Sequence, residues 1–199
     1  MSVTQPNVHR FFDAVSKYGF NKKYNFQIED ITGLPDNISN LVNSIPDYTL
    51  YIQSAKVPAR KINTVKVPYK AFEFVVPTNA SYPDSENWEV EFISDSDMLI
   101  RNLFEQWSFT LYDNSTNSTS NIDFAKCNLT LNLLTETIEP VGNNNEVTTT
   151  SEPLNTIRTY TLYGVFPVNL NPIEYNITDA GTEVVKFRAT MAFQYFTVQ

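Results

Sequence analysis

The sequence contains one cysteine, Cys127, and one histidine, His9. A lone cysteine closes no intramolecular disulfide, and within an apolar stretch it reads as packing. Any Ser-His-Asp or Cys-His centre would have to use His9, and nothing in the sequence marks its partner. Glycine is scarce, at 5 residues, so turns must rest on Asn, Asp, Ser and the 11 prolines. No apolar run reaches the roughly 18 residues of a membrane-spanning helix. The first twenty residues carry no apolar core of a secretory signal. Positive charge is also short: 14 Lys and Arg stand against 22 Asp and Glu, a net charge of −8. No basic patch is present to neutralise phosphates, which excludes sequence-specific nucleic-acid binding as the main task. P-loop, Rossmann, zinc-site and nucleophile-elbow patterns are all missing, so neither a catalytic residue, a metal nor a cofactor is expected.

What remains is a polar, aromatic-rich chain of 199 residues, 14% of them Phe, Trp or Tyr. Its length suits a single domain over 1–199, and the aromatics favour strands. The segment 135–155, containing VGNNNEVTTTSEP, is long and poor in apolar residues, and reads as an inserted polar loop. An amphipathic helix is predicted over 7–18, with Asn7 as N-cap and Val8, Phe11, Phe12 and Val15 on one face. A second helix is predicted over 97–107, opened by Asp95 and Asp97, with Ile100, Leu103, Phe104 and Trp107 at spacings of three and four. Period-two alternation predicts strands over 24–31, 48–57, 88–93, 124–134, 156–166 and 183–198. Residues 38–46 read as a polar segment with at most a helical turn. The whole is mainly β, a barrel or sandwich with two short helices.

The stretch 54–82 organises the chain. Val57-Pro58 and Val67-Pro68 each end a run, because proline gives no N–H to a ladder. Between them Ile62, Val65 and Val67 interleave with polar residues, as on a ribbon with one wet face. Phe72, Phe74 and Val76 then share one side. This predicts a strand, a corner and two short strands, rich in edges that need a partner.

The carboxylates Glu89, Glu91, Asp95, Asp97 and Glu105 invite a metal or glycosidase reading. Yet Asp95 and Asp97 suit a helix start, and Glu89 and Glu91 suit a wet strand face. Trp88 and Trp107 fall on inward parities, which favours core over a sugar-stacking platform. The six Asn-x-Ser/Thr triplets are what so Asn-, Ser- and Thr-rich a chain produces by chance.

The order of these features resembles the tail tube proteins of contractile-tail bacteriophages, and through them the tubes of bacterial contractile injection systems. Ser54-Ala-Lys-Val-Pro-Ala-Arg-Lys-Ile62 and Thr64-Val-Lys-Val-Pro-Tyr69 resemble the family's proline corner and the strand after it. Trp88-Glu-Val90 and the helix ending Phe104-Glu-Gln-Trp107 resemble its tryptophan strand and helix. Arg158-Thr-Tyr160, Gly164-Val-Phe-Pro167 and Phe193-Gln-Tyr-Phe196 resemble its last strands. Ala59 stands where the family usually has glycine, which implies a blunter corner. The resemblance implies a tube-type subunit that joins by edge strands into hexameric rings, stacked into a DNA conduit of the virion tail. It implies a protein made in the host cytoplasm, with a sheath outside, tape-measure protein and DNA inside, and a baseplate at one end. It places ring stacking on Val57, Pro58, Arg60, Lys61, Val67, Pro68 and Tyr69. A baseplate tube initiator, an injection-system tube and a β-sandwich carbohydrate-binding module are the alternatives.

Overall fold

The computed structural model describes residues 22–29, 31–45, 47–113, 115–116, 118–119, 126–135, 155–175 and 184–199. The predicted helix over 7–18, with His9, and most of the polar insertion over 135–155 lie outside them. Two antiparallel four-stranded sheets face each other. The first has the order β1 (Phe26–Ile28), β8 (Asn128–Thr135), β9 (Asn155–Tyr163), β12 (Tyr195–Val198). The second has the order β10 (Phe166–Leu170), β11 (Lys186–Ala192), β5 (Trp88–Ile93), β2 (Ile52–Ala55). A hairpin of β3 (Lys61–Tyr69) and β4 (Phe72–Ser81) pairs with neither sheet. A two-residue ladder joins β6 (Tyr112–Asp113) to β7 (Ser118–Thr119). The helices are α1 (Asp36–Asn43) and α2 (Leu99–Leu111). The fold is thus mainly β and sandwich-like, and among the described residues neither sheet closes into a barrel.

Alternation decides which face of each strand is buried. Trp88, Val90 and Phe92 of β5 are buried, while Glu89, Glu91 and Ile93 are half-buried, as the period of two requires. β11 opposes them with Phe187, Ala189 and Met191. β8 and β9 add Leu129, Leu131 and Leu162 from the other sheet. Helix α2 closes the core with Ile100, Leu103, Phe104 and Trp107, the four positions its periodicity marks. Phe92 stacks on Phe187 at 5.2 Å and leans on Phe104 at 5.0 Å, and Phe104 continues to Trp107 at 6.1 Å. Each such ring, fully buried, contributes about 1.5–3 kcal/mol by area alone.

Helix α2 starts later and runs further than expected, at Leu99 rather than residue 97. Asp95 accepts the first two helix amides, from Leu99 at 2.9 Å and Ile100 at 3.2 Å. Arg101 then ties the helix down. It lies 2.6 Å from Glu105, donates to the Asn171 carbonyl at 2.7 Å and sits over the Phe187 ring.

Several expected boundaries move for local reasons. The strand expected over 24–31 is only Phe26–Ile28, and Tyr24 is exposed with Lys22 over its ring. Of the segment 38–46, residues 38–43 belong to a full helix, α1, that begins after Pro35 and buries Ile38. The strand expected over 48–57 begins instead as a 3-10 turn, Tyr48–Tyr51, whose buried Tyr48 hydroxyl accepts the Ile31 amide at 3.1 Å. Of the strand expected over 124–134, residues 124 and 125 lie outside the described residues, and the strand found is Asn128–Thr135.

The two final strands break where the chain changes sheets. β9 stops at Tyr163 because Gly164, at φ 65°, turns the chain, so Pro167 lies inside β10 rather than ending the strand before it. The long strand expected over 183–198 is two strands, parted at Phe193 and Gln194, whose amide returns to the Tyr163 carbonyl at 2.8 Å. Parity therefore fails at Tyr195, which is exposed.

Gly33 makes the tightest backbone approach. At φ 74°, a Cβ there would stand 2.0 Å from the Lys126 carbonyl oxygen. At Gly164 the obstacle is Gln194 Cγ, 2.6 Å away, on a side chain that can swing aside. Gly33→Ala is therefore expected to cost at least about 2 kcal/mol and Gly164→Ala about 1 kcal/mol. Urea unfolding with unchanged slope checks this, and equal losses at the two positions would contradict it.

Candidate functional site: the hairpin arm and the open sheet edges

The arm grows out of a fastened corner. After β2, Val57 is exposed and Pro58 is buried. Trp88 donates its indole N–H to the Lys56 carbonyl at 2.6 Å, and Lys56 Nζ lies 2.6 Å from Glu89 Oε2. The Ala59 amide donates to Asp84 Oδ2 at 3.2 Å. The returning leg is held by Tyr82, whose ring meets Phe196 at 5.3 Å and Phe193 at 6.3 Å.

From that root two long strands run out, not the two short ones expected. Nine residues of β3 span about 30 Å at the usual rise. Pro68 does not end β3. It lies opposite Glu73, one pair before the turn at Lys70 and Ala71. Lys70 adopts φ 55° there. Near the root Asn63, Thr78 and Asn79 bond to one another where the register shifts between Ile62 and Thr64.

Residues directly opposite in the ladder share a face. The pairs Val65–Val76, Val67–Phe74 and Tyr69–Phe72 therefore build one continuous apolar face. The pairs Thr64–Pro77, Lys66–Val75 and Pro68–Glu73 build the other. Lys66 and Glu73 form an exposed ion pair at 3.2 Å. The ribbon was expected to have one dry face, yet both are wet: Val67 is 44% exposed, Phe74 52% and Phe72 70%. A lone two-stranded ribbon is marginal in water, and an apolar face of this size marks an interaction surface. Covering it contributes on the order of 5 kcal/mol before the costs of association.

Of the seven residues expected to stack rings, Val57, Pro58 and Arg60 lie in the corner and Lys61 opens β3. Val67, Pro68 and Tyr69 lie at the far end of that strand, Val67 and Tyr69 on the apolar face and Pro68 on the other. Buried Pro58 anchors the corner rather than presenting a surface. The expected set omits Val65, Phe72, Phe74 and Val76, although the alternation on both sides of a two-residue turn carries that signal.

The carboxylates are dispersed by their partners. Glu91 accepts from Ser54, Glu105 pairs with Arg101, and Asp95 caps α2. Among the described residues no group of three or more His, Cys, Asp or Glu is placed to hold a metal ion. Trp88 and Trp107 are fully buried, so neither offers a platform for a sugar. Among the described residues each sheet ends in strands with one unpaired side: β1 and β12 in the first, β10 and β2 in the second.

The described residues thus form an open-edged sandwich with an exposed apolar arm. The chain belongs to the phage tail tube protein family, whose model matches residues 5–199. Among solved structures it is similar to a chain of the anti-feeding prophage tube-terminating cap. That match has 13% identity and TM-score 0.54, over 100% of this chain and 94% of that one. It is also similar to chains of an extracellular contractile injection system, PVC. The sheath/tube terminator matches at 13% identity and TM-score 0.53, over 89% and 95% of the two chains. The sheath–tube complex matches at 10% and 0.52, over 100% and 99%. At such identities the likeness is one of fold. No curated protein matches the chain.

The root of the arm carries a pH dependence. The Lys56 ammonium, hydrogen-bonded to Glu89, holds that carboxyl below the ordinary glutamate value, against the opposing effect of desolvation, and Arg188 at 3.9 Å adds to the pull. A carboxylate depressed on folding contributes stability above its unfolded pKa, and that stability is lost as pH falls through the folded one. Glu89→Gln is therefore expected to unfold more easily than the parent at neutral pH, with the gap closing in acid below the ordinary glutamate range. Thermal melts at several pH values check this, and a gap that widens in acid would contradict it.

Proposed function

We propose that this chain is the subunit of an inner tail tube. Copies close into hexameric rings through the free edges of the two sheets, and rings stack through the arm. Val57, Arg60, Lys61, Val67, Pro68 and Tyr69 would contribute to that stacking, with Pro58 holding the corner. The observation that carries this reading is the apolar face of β3 and β4, which nothing in its own sheet covers. Edge strands support it as well, because ring closure removes edges that would otherwise invite aggregation.

The tube would be a conduit for DNA into a bacterial host, as part of the virion tail and assembled from protein made in the host cytoplasm. A net charge of −8 suits that role, since like charge keeps DNA from adhering. Sheath outside, tape-measure protein inside and a baseplate at one end would be its partners. No enzymatic step or cofactor is part of the proposal. The likeness to sheath–tube and tube-terminator chains of injection systems favours, as a second reading, the tube of such a device, carrying other cargo.

Concentrated protein examined by negative-stain electron microscopy and sedimentation is expected to give six-membered rings or hollow tubes without added ligand. Phe72→Ser with Phe74→Ser is expected to leave the circular dichroism unchanged and to abolish stacking. A parent protein that stays monomeric even when seeded with baseplates would contradict the tube reading, and tubes formed by the double variant would contradict the role of the arm.

A further inference from the structure

Charge is divided unevenly along this chain. The segment 56–81, the corner and the arm, holds Lys56, Arg60, Lys61, Lys66 and Lys70 against the single carboxylate Glu73, a net charge of +4. The remaining 9 cations and 21 carboxylates leave the rest of the chain at −12. A cationic arm on an anionic body cannot pair comfortably with another arm, so a two-fold, arm-to-arm contact is disfavoured. The arrangement directs each arm onto the body of another copy, a head-to-tail contact that propagates.

Among the described residues two concave surfaces border the edge strand β1, and charge chooses between them. The larger, a groove of about 940 Å³ between β1 and β2, is apolar at Phe26, Leu50, Val57 and Leu133 but carries Lys22 and Lys23. It would repel the arm, and Val57 places it at an arm's own foot. The smaller, a cleft of about 550 Å³ between β1 and the Tyr48–Tyr51 turn, joins apolar Ile28, Val42 and Ile45 to the carboxylates Glu29 and Asp47. Its lining is mostly polar, with Val42 half-buried and Ile28 and Ile45 buried beneath it, and its carboxylates complement the cations of the arm; Glu29 also accepts from the Asn132 side chain at 2.8 Å. At the arm's tip, Tyr69 and Phe72 stand beside Lys70, whose ammonium lies 5.5 Å from the centre of the Tyr69 ring. The Asp47 side chain makes no capping hydrogen bond to the turn it precedes; its backbone, at φ 56°, carries the turn through its carbonyl, which accepts the Leu50 amide at 2.9 Å.

We propose that the arm tip of one copy seats in the cleft between β1 and the Tyr48–Tyr51 turn of a second copy. Lys70 faces the exposed carboxylates Glu29 and Asp47, and Tyr69 and Phe72 lie against half-buried Val42 at the rim. The inference rests on the reading of the chain as a self-assembling tube subunit, and it names the surface that receives the arm. Assembly then has an electrostatic component that salt weakens.

Zero-length carbodiimide coupling of the unmodified protein, assembled from an equal mixture of ordinary and nitrogen-15-labelled chains, tests it. Expected are mixed-isotope peptides joining Lys70 to Glu29 or Asp47, present in sedimented particles and missing from dilute monomer. Lys70→Glu is expected to raise the concentration needed for assembly about fivefold at low salt, the upper range for one exposed charge pair. Asp47→Lys in the same chain is expected to restore it. Particles in which Lys70 couples only to other carboxylates, only within its own chain, or not at all would overturn the cleft as the receiving surface and leave the tube reading standing. A protein that forms no particles under any condition would overturn both.

Discussion

Everything the arm does depends on how its root is held. Residues 56–60 belong to no strand, yet three hydrogen bonds and a buried proline fix them to the second sheet and to the turn that leads into β5. Trp88 reaches the Lys56 carbonyl, Glu89 holds the Lys56 ammonium, Asp84 takes the Ala59 amide, and Pro58 is buried. Trp88 is itself part of the core: it is fully buried and paired through β5 to Met191. The direction in which the arm leaves is thus set by the same aromatic layer that forms the core. An ordinary loop at this place would let an exposed apolar ribbon wander and aggregate. A fixed one presents a defined surface at a defined distance.

The fold has a division of labour that follows from where its apolar residues go. One set is spent on the sandwich and on α2, where the stack of Phe187, Phe92, Phe104 and Trp107 is dry. A second set, on β3 and β4, stays in water in the single chain. Folding of one copy therefore leaves a substantial apolar free energy unrealised. Association can recover it, provided the receiving surface also accommodates the cations that the arm carries. Family membership and the fold of the similar injection-system chains fit a subunit whose folding is finished but whose burial is not.

Strong periodicity was legible, and chain reversals were not. Trp88–Ile93 and the buried stripe of α2 follow directly from alternation and from three-and-four spacing, and both match the structure. Misread boundaries share a cause: the determinants are tertiary. The chain's change of sheet at Gly164 and again at Phe193 and Gln194 splits what alternation joins, since parity is blind to which sheet a strand enters. Tyr48 looks like a strand residue until its hydroxyl is seen accepting the Ile31 amide. At the candidate site, Pro68 suggested a strand end because proline gives no ladder hydrogen bond, yet on a two-stranded ribbon each strand has a free side where that loss is harmless. Both halves of the apolar face are legible as separate alternations, but not that the two strands pair across a two-residue turn, so the expected stacking set ends at Tyr69.

The most direct test of this account is hydroxyl-radical footprinting of Tyr69, Phe72 and Phe74 in sedimented particles and in dilute monomer. All three are exposed in the single chain, so the account predicts high reactivity in the monomer and strong protection in the particle. Equal reactivity in the two states would mean that the arm's apolar face stays in water after assembly, and the claim that this face drives association would be wrong.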